Sequence, residues 1–311
     1  MRLQRQMVLP GGFRRGRILV QLRQSEADLL ELRSAAHLGE ATHQLVDALG
    51  VPMLTHVNER DAVISAELAA QGMWEPAETL LIQGLARPGM RVLDIGANVG
   101  YFSCLFARLL GPMGQVIAFE PEPENAFLLH ANTLLLAQLC PKAAPIETHQ
   151  LALSDRRGKA RLNVFERNLG LHSLVHAGGS RGIEVTVEQL DHLAMGDTPL
   201  PAFANRIDLI KADTQGSELA LLRGGERLLE RDRPVLVLEI EPPMDGAARA
   251  IELVRWLDQH HYTRFRVFHA NFGDPYAVAQ EWLDALDADA VISRIRSHAI
   301  RAYGTLVAYP D

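Results

Sequence analysis

The ten residues Arg91 to Gly100, Arg-Val-Leu-Asp-Ile-Gly-Ala-Asn-Val-Gly, constrain the fold of this chain more than any other stretch. Val92, Leu93 and Ile95 make an apolar strand, small residues make a tight turn, and Tyr101 to Ala107 reads as a helix. A strand, a glycine turn and a helix start build a nucleotide-sized site in an α/β sheet. Gly96 would let the backbone approach a ligand, and Gly100 would let the helix pack close to the strand. Free N–H groups at the helix start would attract an anionic or polar ligand.

The turn itself discriminates among nucleotides. A dinucleotide loop reads Gly-x-Gly-x-x-Gly, but Asn98 stands at the middle glycine, so a pyrophosphate loses its closest backbone approach. A carboxylate at the strand end, Asp94, would repel phosphate and suits a cation or an amine. S-adenosylmethionine has a sulfonium and an amino group and no phosphate, so it fits this loop better than NAD does. Glu120, 24 residues after Gly96, ends the next apolar strand, where an acid can accept both hydroxyls of a ribose.

Around this unit, strands and helices alternate. Strands are expected at Gln115 to Glu120, Ile146 to Leu153, Ile207 to Asp213, Pro234 to Ile240, Tyr262 to His269 and Gly304 to Tyr309. Helices are expected at Pro123 to Leu139, Ser217 to Glu230 and Ala247 to His261. The alternation implies a mostly parallel sheet with helices on both faces. Gly158 to Leu193 breaks the pattern with short alternating runs and reads as a β insertion that carries substrate contacts. Upstream, a helical region from Ala66 to Gln83 is interrupted at Gly72 to Pro76. Residues 1–70 read as an N-terminal helical extension and 71–311 as the main domain. A capping box at Ser25 to Asp28 precedes Leu29, Leu30, Leu32, Leu45, Val46 and Leu49 at roughly helical spacing. Such helices could pack on the domain, cover the site or pair two copies of the chain.

Charge and cysteine content narrow the function class. A net charge of -7 without a basic face argues against nucleic acid as the main partner. Cys104 and Cys140 read as free thiols, which fits a reducing cytoplasm. No run approaches the ~18 apolar residues of a membrane span.

Chemistry-bearing residues gather in two further places. Ala152-Leu-Ser-Asp155 ends the third strand, where Leu153 could border an adenine and Asp155 could meet its amine. An ordinary polar turn is the equal alternative. Lys211 and Asp213 share one side of a strand by period two, before the turn Thr214-Gln-Gly-Ser-Glu218. They could orient a hydroxyl or share its proton, or they could be a structural ion pair.

Val92 to Ser103, Phe119-Glu-Pro121, Ala152 to Asp155 and Lys211-Ala-Asp-Thr-Gln-Gly-Ser-Glu218, in that order, resemble the FkbM-type class I methyltransferases. The resemblance covers roughly residues 72–240. It implies a Rossmann-like sheet of seven strands with the last one antiparallel, and methyl transfer from S-adenosylmethionine, most often to a hydroxyl of a sugar or natural product. S-adenosylhomocysteine would be the product. Carried over by position, Asp94, Gly96 and Asn98 would border the methionine part, with Ala97, Gly100 and Tyr101 also in the cofactor site. Glu120 would hold the ribose and Leu153 would lie near adenine, with Pro121, Asp155 and Asp213 completing the cofactor site. Many members have an acid where this chain has Gln215, so the base is sought elsewhere: His172, Lys211 or Asp213. A divalent cation on Asp213, Glu239 and Glu241 is a less favoured route to an alkoxide. N- or C-methylation of a small metabolite is the nearest alternative activity. An NAD-type oxidoreductase and a non-catalytic binding module are further ones.

Overall fold

The structure is a computed structural model and describes residues 43–165, 172–175, 181–240, 246–269, 285–297 and 304–311. The compact unit begins at His43 and runs to Asp311. It opens on a hairpin, β1 (His43–Ala48) and β2 (Val51–His56), followed by α1 (Ile64–Gln71) and α2 (Pro76–Leu85). Seven strands then form the main sheet: β3 (Arg91–Ile95), β4 (Gln115–Phe119), β5 (Ile146–His149), β9 (Leu209–Ala212), β10 (Val235–Ile240), β11 (Tyr262–His269) and β12 (Gly304–Pro310). Their order is β11-β12-β10-β9-β3-β4-β5, with β12 antiparallel to both its neighbours. This is the expected mostly parallel, Rossmann-like sheet of seven strands.

Helices α3 (Tyr101–Leu110), α4 (Pro123–Leu139), α6 (Glu218–Arg223), α7 (Glu226–Asp232), α8 (Gly246–Gln259) and α9 (Ala288–Arg296) cover the sheet. Strand residues are buried on both sides, so an apolar core forms on each face. One core gathers Phe203, Leu236, Leu238, Val254 and Phe265, and the other Phe106, Val92, Leu81 and Met53. Among the described residues no helix is long and apolar enough to cross a membrane.

Several sequence expectations need correction. Leu45, Val46 and Leu49 are not helical; they belong to the hairpin. Leu49 (φ 53°) and Gly50 (φ 78°) make a two-residue turn with both φ positive, the geometry that matches the twist of paired strands. Val46, Ala48, Val51 and Met53 are buried, and these alternate-residue pairs outweigh the weaker helical spacing. The hairpin packs with the sheet's own core, so residues 43–70 belong to the main body. The capping box at Ser25 lies outside the described residues. The run Ile146 to Leu153 is two strands, not one. It leaves the main sheet after His149, and β6 (Ala152–Leu153) pairs in a separate three-stranded sheet with β8 (Arg181–Glu188), which also pairs with β7 (Gly158–Val164). That sheet is the β insertion foreseen between the third and fourth parallel strands; a short helix, α5 (Leu190–Met195), follows it. The helix after β9 is broken at Gly224-Gly225 into α6 and α7.

The glycines of the first turn serve packing. A Cβ on Gly96 (φ 80°) would lie 1.9 Å from the backbone oxygen of Asp213, so this glycine lets the turn after β3 touch the turn after β9. A Cβ on Gly100 (φ 92°) would lie 2.7 Å from Leu129 Cδ1, so Gly100 brings α3 against α4 rather than against its own strand. Gly96→Ala meets unyielding backbone and is expected to cost about 3 kcal/mol, overpacking plus a left-handed residue. Gly100→Ala meets a leucine methyl that can swing aside and is expected to cost about 1–2 kcal/mol. Chemical denaturation ranks the two, and equal losses would refute the assignment.

Candidate active site

A cavity of about 560 Å³ opens at the carboxyl ends of β3, β4 and β9. This is the size of a small-molecule site, placed where open α/β sheets bind ligands. Gly96, Ala97, Asn98 and Tyr101 line it from the first turn, Glu120 and Pro121 from the end of β4, and Ala152 and Leu153 from β6. Lys211, Asp213, Thr214 and Gln215 line it from β9 and its turn, and His172 and Leu174 from the insertion.

The first turn satisfies itself. Gly96 and Ala97 donate their N–H groups to Phe119 O (2.9 and 3.0 Å), and Gly100 donates to Ala97 O (2.8 Å). Val99 N–H donates to Asn98 Oδ1 (2.8 Å). Asn98 (φ 50°) donates its N–H to Glu120 Oε2 at 2.8 Å. These donors are engaged internally, so the backbone of residues 96–100 offers no nest for phosphate.

Glu120 ties the turn to β4. It is 5% exposed, and its second oxygen accepts Glu122 N–H at 2.9 Å. A carboxylate has about four acceptor positions, so two remain for a ligand. Burial pushes its carboxyl up to about 8, against the pull of those two backbone donors.

Behind the cavity lies a buried charge network. Asp94 and Lys211 are register partners on adjacent parallel strands, so they sit side by side. Lys211, 2% exposed, places Nζ 3.3 Å from Glu78 Oε1 of α2, 3.6 Å from Asp213 Oδ2 and 4.5 Å from the Phe102 ring centroid. Burial alone would lower the lysine, but the carboxylates of Glu78, Asp213, Asp94 and Glu75 reverse this and hold it above its ordinary value. Lys211 is therefore a fixed cation and no proton acceptor. Asp94 does not line the cavity. It is fully buried, accepts Ser103 Oγ–H at 2.5 Å, and burial raises its carboxyl despite Lys211.

Other expected residues also change role. Gly100 is not on the wall, and Asp155 is exposed, its carboxylate meeting Ser154 Oγ at 3.2 Å. His172 lines the cavity, but burial, and then His56, lower it to about 4. Its Nδ1 accepts Phe165 N–H at 3.2 Å, so the other ring nitrogen carries the proton and has no lone pair to act as base. The cation site proposed on Asp213 and Glu239 is bridged instead by an amide: Gln215 Nε2 donates to Asp213 Oδ1 at 2.9 Å and Glu239 Oε2 at 2.7 Å. Glu241, the third member, lies outside the described residues. Gln215 is held left-handed (φ 52°), and its carbonyl accepts Ser173 Oγ–H at 2.7 Å, tying the insertion to the β9 turn.

Glu75 was not foreseen. It lines the cavity just before α2, with φ 42° and ψ 72°, costly for a non-glycine residue. Its side chain makes no capping bond, and burial, then Glu78 and Asp213, raise its carboxyl well above the ordinary range. The sequence shows only Glu before Pro76, which reads as the start of a helix. Glu67 and Glu239 add to the wall, so the cavity carries five carboxyl residues against one committed lysine.

The Methyltransferase FkbM domain model matches residues 94–265. The chain is 29% identical over 177 residues to methyltransferase sdnD of Sordaria araneosa, covering 49% of this chain and 66% of that protein. It is 38% identical over 79 residues to the 31-O-demethyl-FK506 methyltransferase FkbM of Streptomyces tacrolimicus, covering 25% of this chain and 28% of that one. The aligned stretch thus falls short of two thirds of either relative. A crystal structure of methyltransferase FkbM from Methylobacillus flagellatus KT superposes with TM-score 0.44 at 15% identity, covering 74% of this chain and 50% of that one.

Replacing Lys211 by Met strands its carboxylates without a counter-charge and is expected to cost about 3–5 kcal/mol near neutral pH. Uncompensated buried acids keep raised folded-state values. The variant should therefore be most stable at low pH and lose stability as pH rises above about 4.5, the unfolded carboxylate value. Calorimetric unfolding at several pH values checks this, and a deficit independent of pH would refute it.

Proposed function

Because the chain belongs to the FkbM methyltransferase family, we propose that it transfers a methyl group from S-adenosylmethionine to a hydroxyl of a small molecule. The observation that carries this reading is the acidic cavity wall joined to Glu120, beside a turn whose own backbone donors at residues 96–100 are engaged internally. Such a wall suits a ligand bearing a sulfonium and an ammonium and disfavours a dinucleotide. Glu120 would receive the ribose hydroxyls on its two remaining acceptor positions. Gly96, Ala97 and Asn98 would border the methionine part, and the apolar Leu151, Ala152, Leu153 and Phe119 would flank the adenine.

When bound, S-adenosylmethionine supplies a methyl already activated on sulfur, so the protein's work is positioning and removal of the acceptor's proton. Asp213 and Glu75 are the acids suited to receive that proton. Asp213 is oriented by Gln215 and Lys211, and Glu75 stands on the same wall with its side chain free of a capping bond. The rest of the wall combines Val63, Ile64 and Trp74 with Glu67, which favours an uncharged hydroxylated molecule with an apolar face over an anion. The relative named as acting on 31-O-demethyl-FK506 agrees with an oxygen acceptor in a natural product.

Calorimetry with S-adenosylhomocysteine and with NADH tests the cofactor: binding of the first alone is expected, and Glu120→Ala should remove it. Ribose donors favour the ionised form of Glu120, so its value, about 8 in the free protein, should fall on binding. Binding should then release a proton near pH 7 and tighten as pH rises toward 8; no dependence of the heat on buffer ionisation would count against this role. A labelled-methyl assay across hydroxylated metabolites tests the acceptor. With an acceptor in hand, Glu75→Gln and Asp213→Asn should each lower kcat about 100-fold while S-adenosylhomocysteine affinity changes little. His172→Gln should leave the pH profile in place, and a lost limb there would restore the histidine as base.

A further inference from the structure

Away from the cofactor wall, we infer that His43, His56 and Glu124 form a binding site for a borderline divalent metal ion, best suited to Zn²⁺, that fastens the hairpin to the head of α4. This does not depend on the methyl-transfer reading. The two histidines are register partners on β1 and β2, so both imidazoles leave the same face of the hairpin. Glu124 stands in the first turn of α4. Its Oε1 lies 3.3 Å from His43 Nε2 and 3.9 Å from His56 Nδ1, and the three ligand atoms all lie within 4.8 Å of one another. Zinc bonds of about 2.0–2.2 Å at tetrahedral angles separate ligand atoms by about 3.3–3.5 Å. The His43–Glu124 pair already has that spacing, the His56–Glu124 pair is 3.9 Å apart, and the two imidazole nitrogens lie within 4.8 Å of each other.

His56 gives an independent indication. It is fully buried, and its Nε2 meets Asn125 Oδ1 at 2.8 Å. An amide oxygen only accepts, so with Asn125 in this orientation Nε2 carries the proton and Nδ1 is left with a bare lone pair. That atom is buried, has no hydrogen-bond partner and faces the carboxylate oxygen of Glu124. A buried imidazole lone pair that faces a carboxylate oxygen 3.9 Å away is a place where a cation can be shared. The His56–Asn125 contact is also the outer-shell bond that metal-bound imidazoles usually make.

Two imidazoles and one carboxylate select Zn²⁺, Co²⁺ or Ni²⁺ over Mg²⁺ or Ca²⁺ and leave a fourth position for solvent. The His43 side chain is 9% exposed and that of Glu124 28%, so an ion can enter from outside. Arg60 grips the same carboxylate, Nη1 on Oε1 and Nη2 on Oε2 (2.7 Å). It orients Glu124 and leaves Oε1 a second lone pair, while its charge weakens the site. Among His43, His56, Glu124 and Asn125, only Asn125 lines the cavity, so the ion would be structural.

The test uses the full chain without a histidine tag, stripped with chelator and then titrated with Zn²⁺ by calorimetry and with Co²⁺ by visible absorption. The expected result is one equivalent per chain, tetrahedral Co²⁺ bands and a Zn²⁺-dependent rise in Tm. His56→Ala should abolish the equivalent, and His43→Ala, at a less buried position, gives the same reading if the first variant does not fold. Asn125→Leu should weaken binding about 10-fold or more, and Arg60→Met should tighten it. Absence of a stoichiometric ion in the wild type overturns the proposal in favour of a proton shared by the same groups. Binding unchanged in both histidine variants overturns it in favour of a site elsewhere.

Discussion

The structure depends on one buried lysine. Lys211 sits in the centre of a parallel sheet, 2% exposed, where an isolated ammonium would be untenable. It is held by Glu78 from α2 and Asp213 from its own strand end, with Asp94 beside it on β3. Removing any one partner leaves charge stranded in low dielectric, so these elements are fixed relative to one another by electrostatics as well as by packing. Glu78 and Asp94, from consecutive segments, meet a lysine of the much later strand β9, and the cavity opens beside it.

The consequence is a cavity whose acids are held by different surroundings. Glu120 and Glu75 are raised by burial, whereas Asp213 is held by the Gln215 amide and the lysine. Several carboxyl groups around one space suit the binding of a cationic ligand. The histidine that looked like a base stands in surroundings that disfavour its protonation. Its ring is buried, and the backbone N–H of Phe165 takes its only lone pair.

The hairpin and the insertion show how peripheral elements finish the site. Ser173 reaches from the insertion to the Gln215 carbonyl. Asn132 of α4 exchanges hydrogen bonds with Leu54 of the hairpin and also donates to Val99 of the first turn. The turn, the helix behind it and the hairpin are thereby one connected unit. A cation between the hairpin histidines and Glu124 would stiffen the same unit from outside.

The sequence by itself determined the α/β class, the main strands within a few residues, and the residues of the cavity wall from Gly96 to Asn98 with Glu120. These follow from apolar periodicity and turn chemistry, which are local. It could not place Asp94 behind the wall, make Lys211 a fixed cation or reveal Glu75, because those roles arise from burial and from charges supplied by distant segments. Leu45 and Val46 show the same limit in the fold: a short apolar run fits either period, and only the partner strand decides. Tertiary structure alone decided which acids face the cavity and which lone pairs are free, since proton affinity depends on solvation and neighbours rather than on residue type.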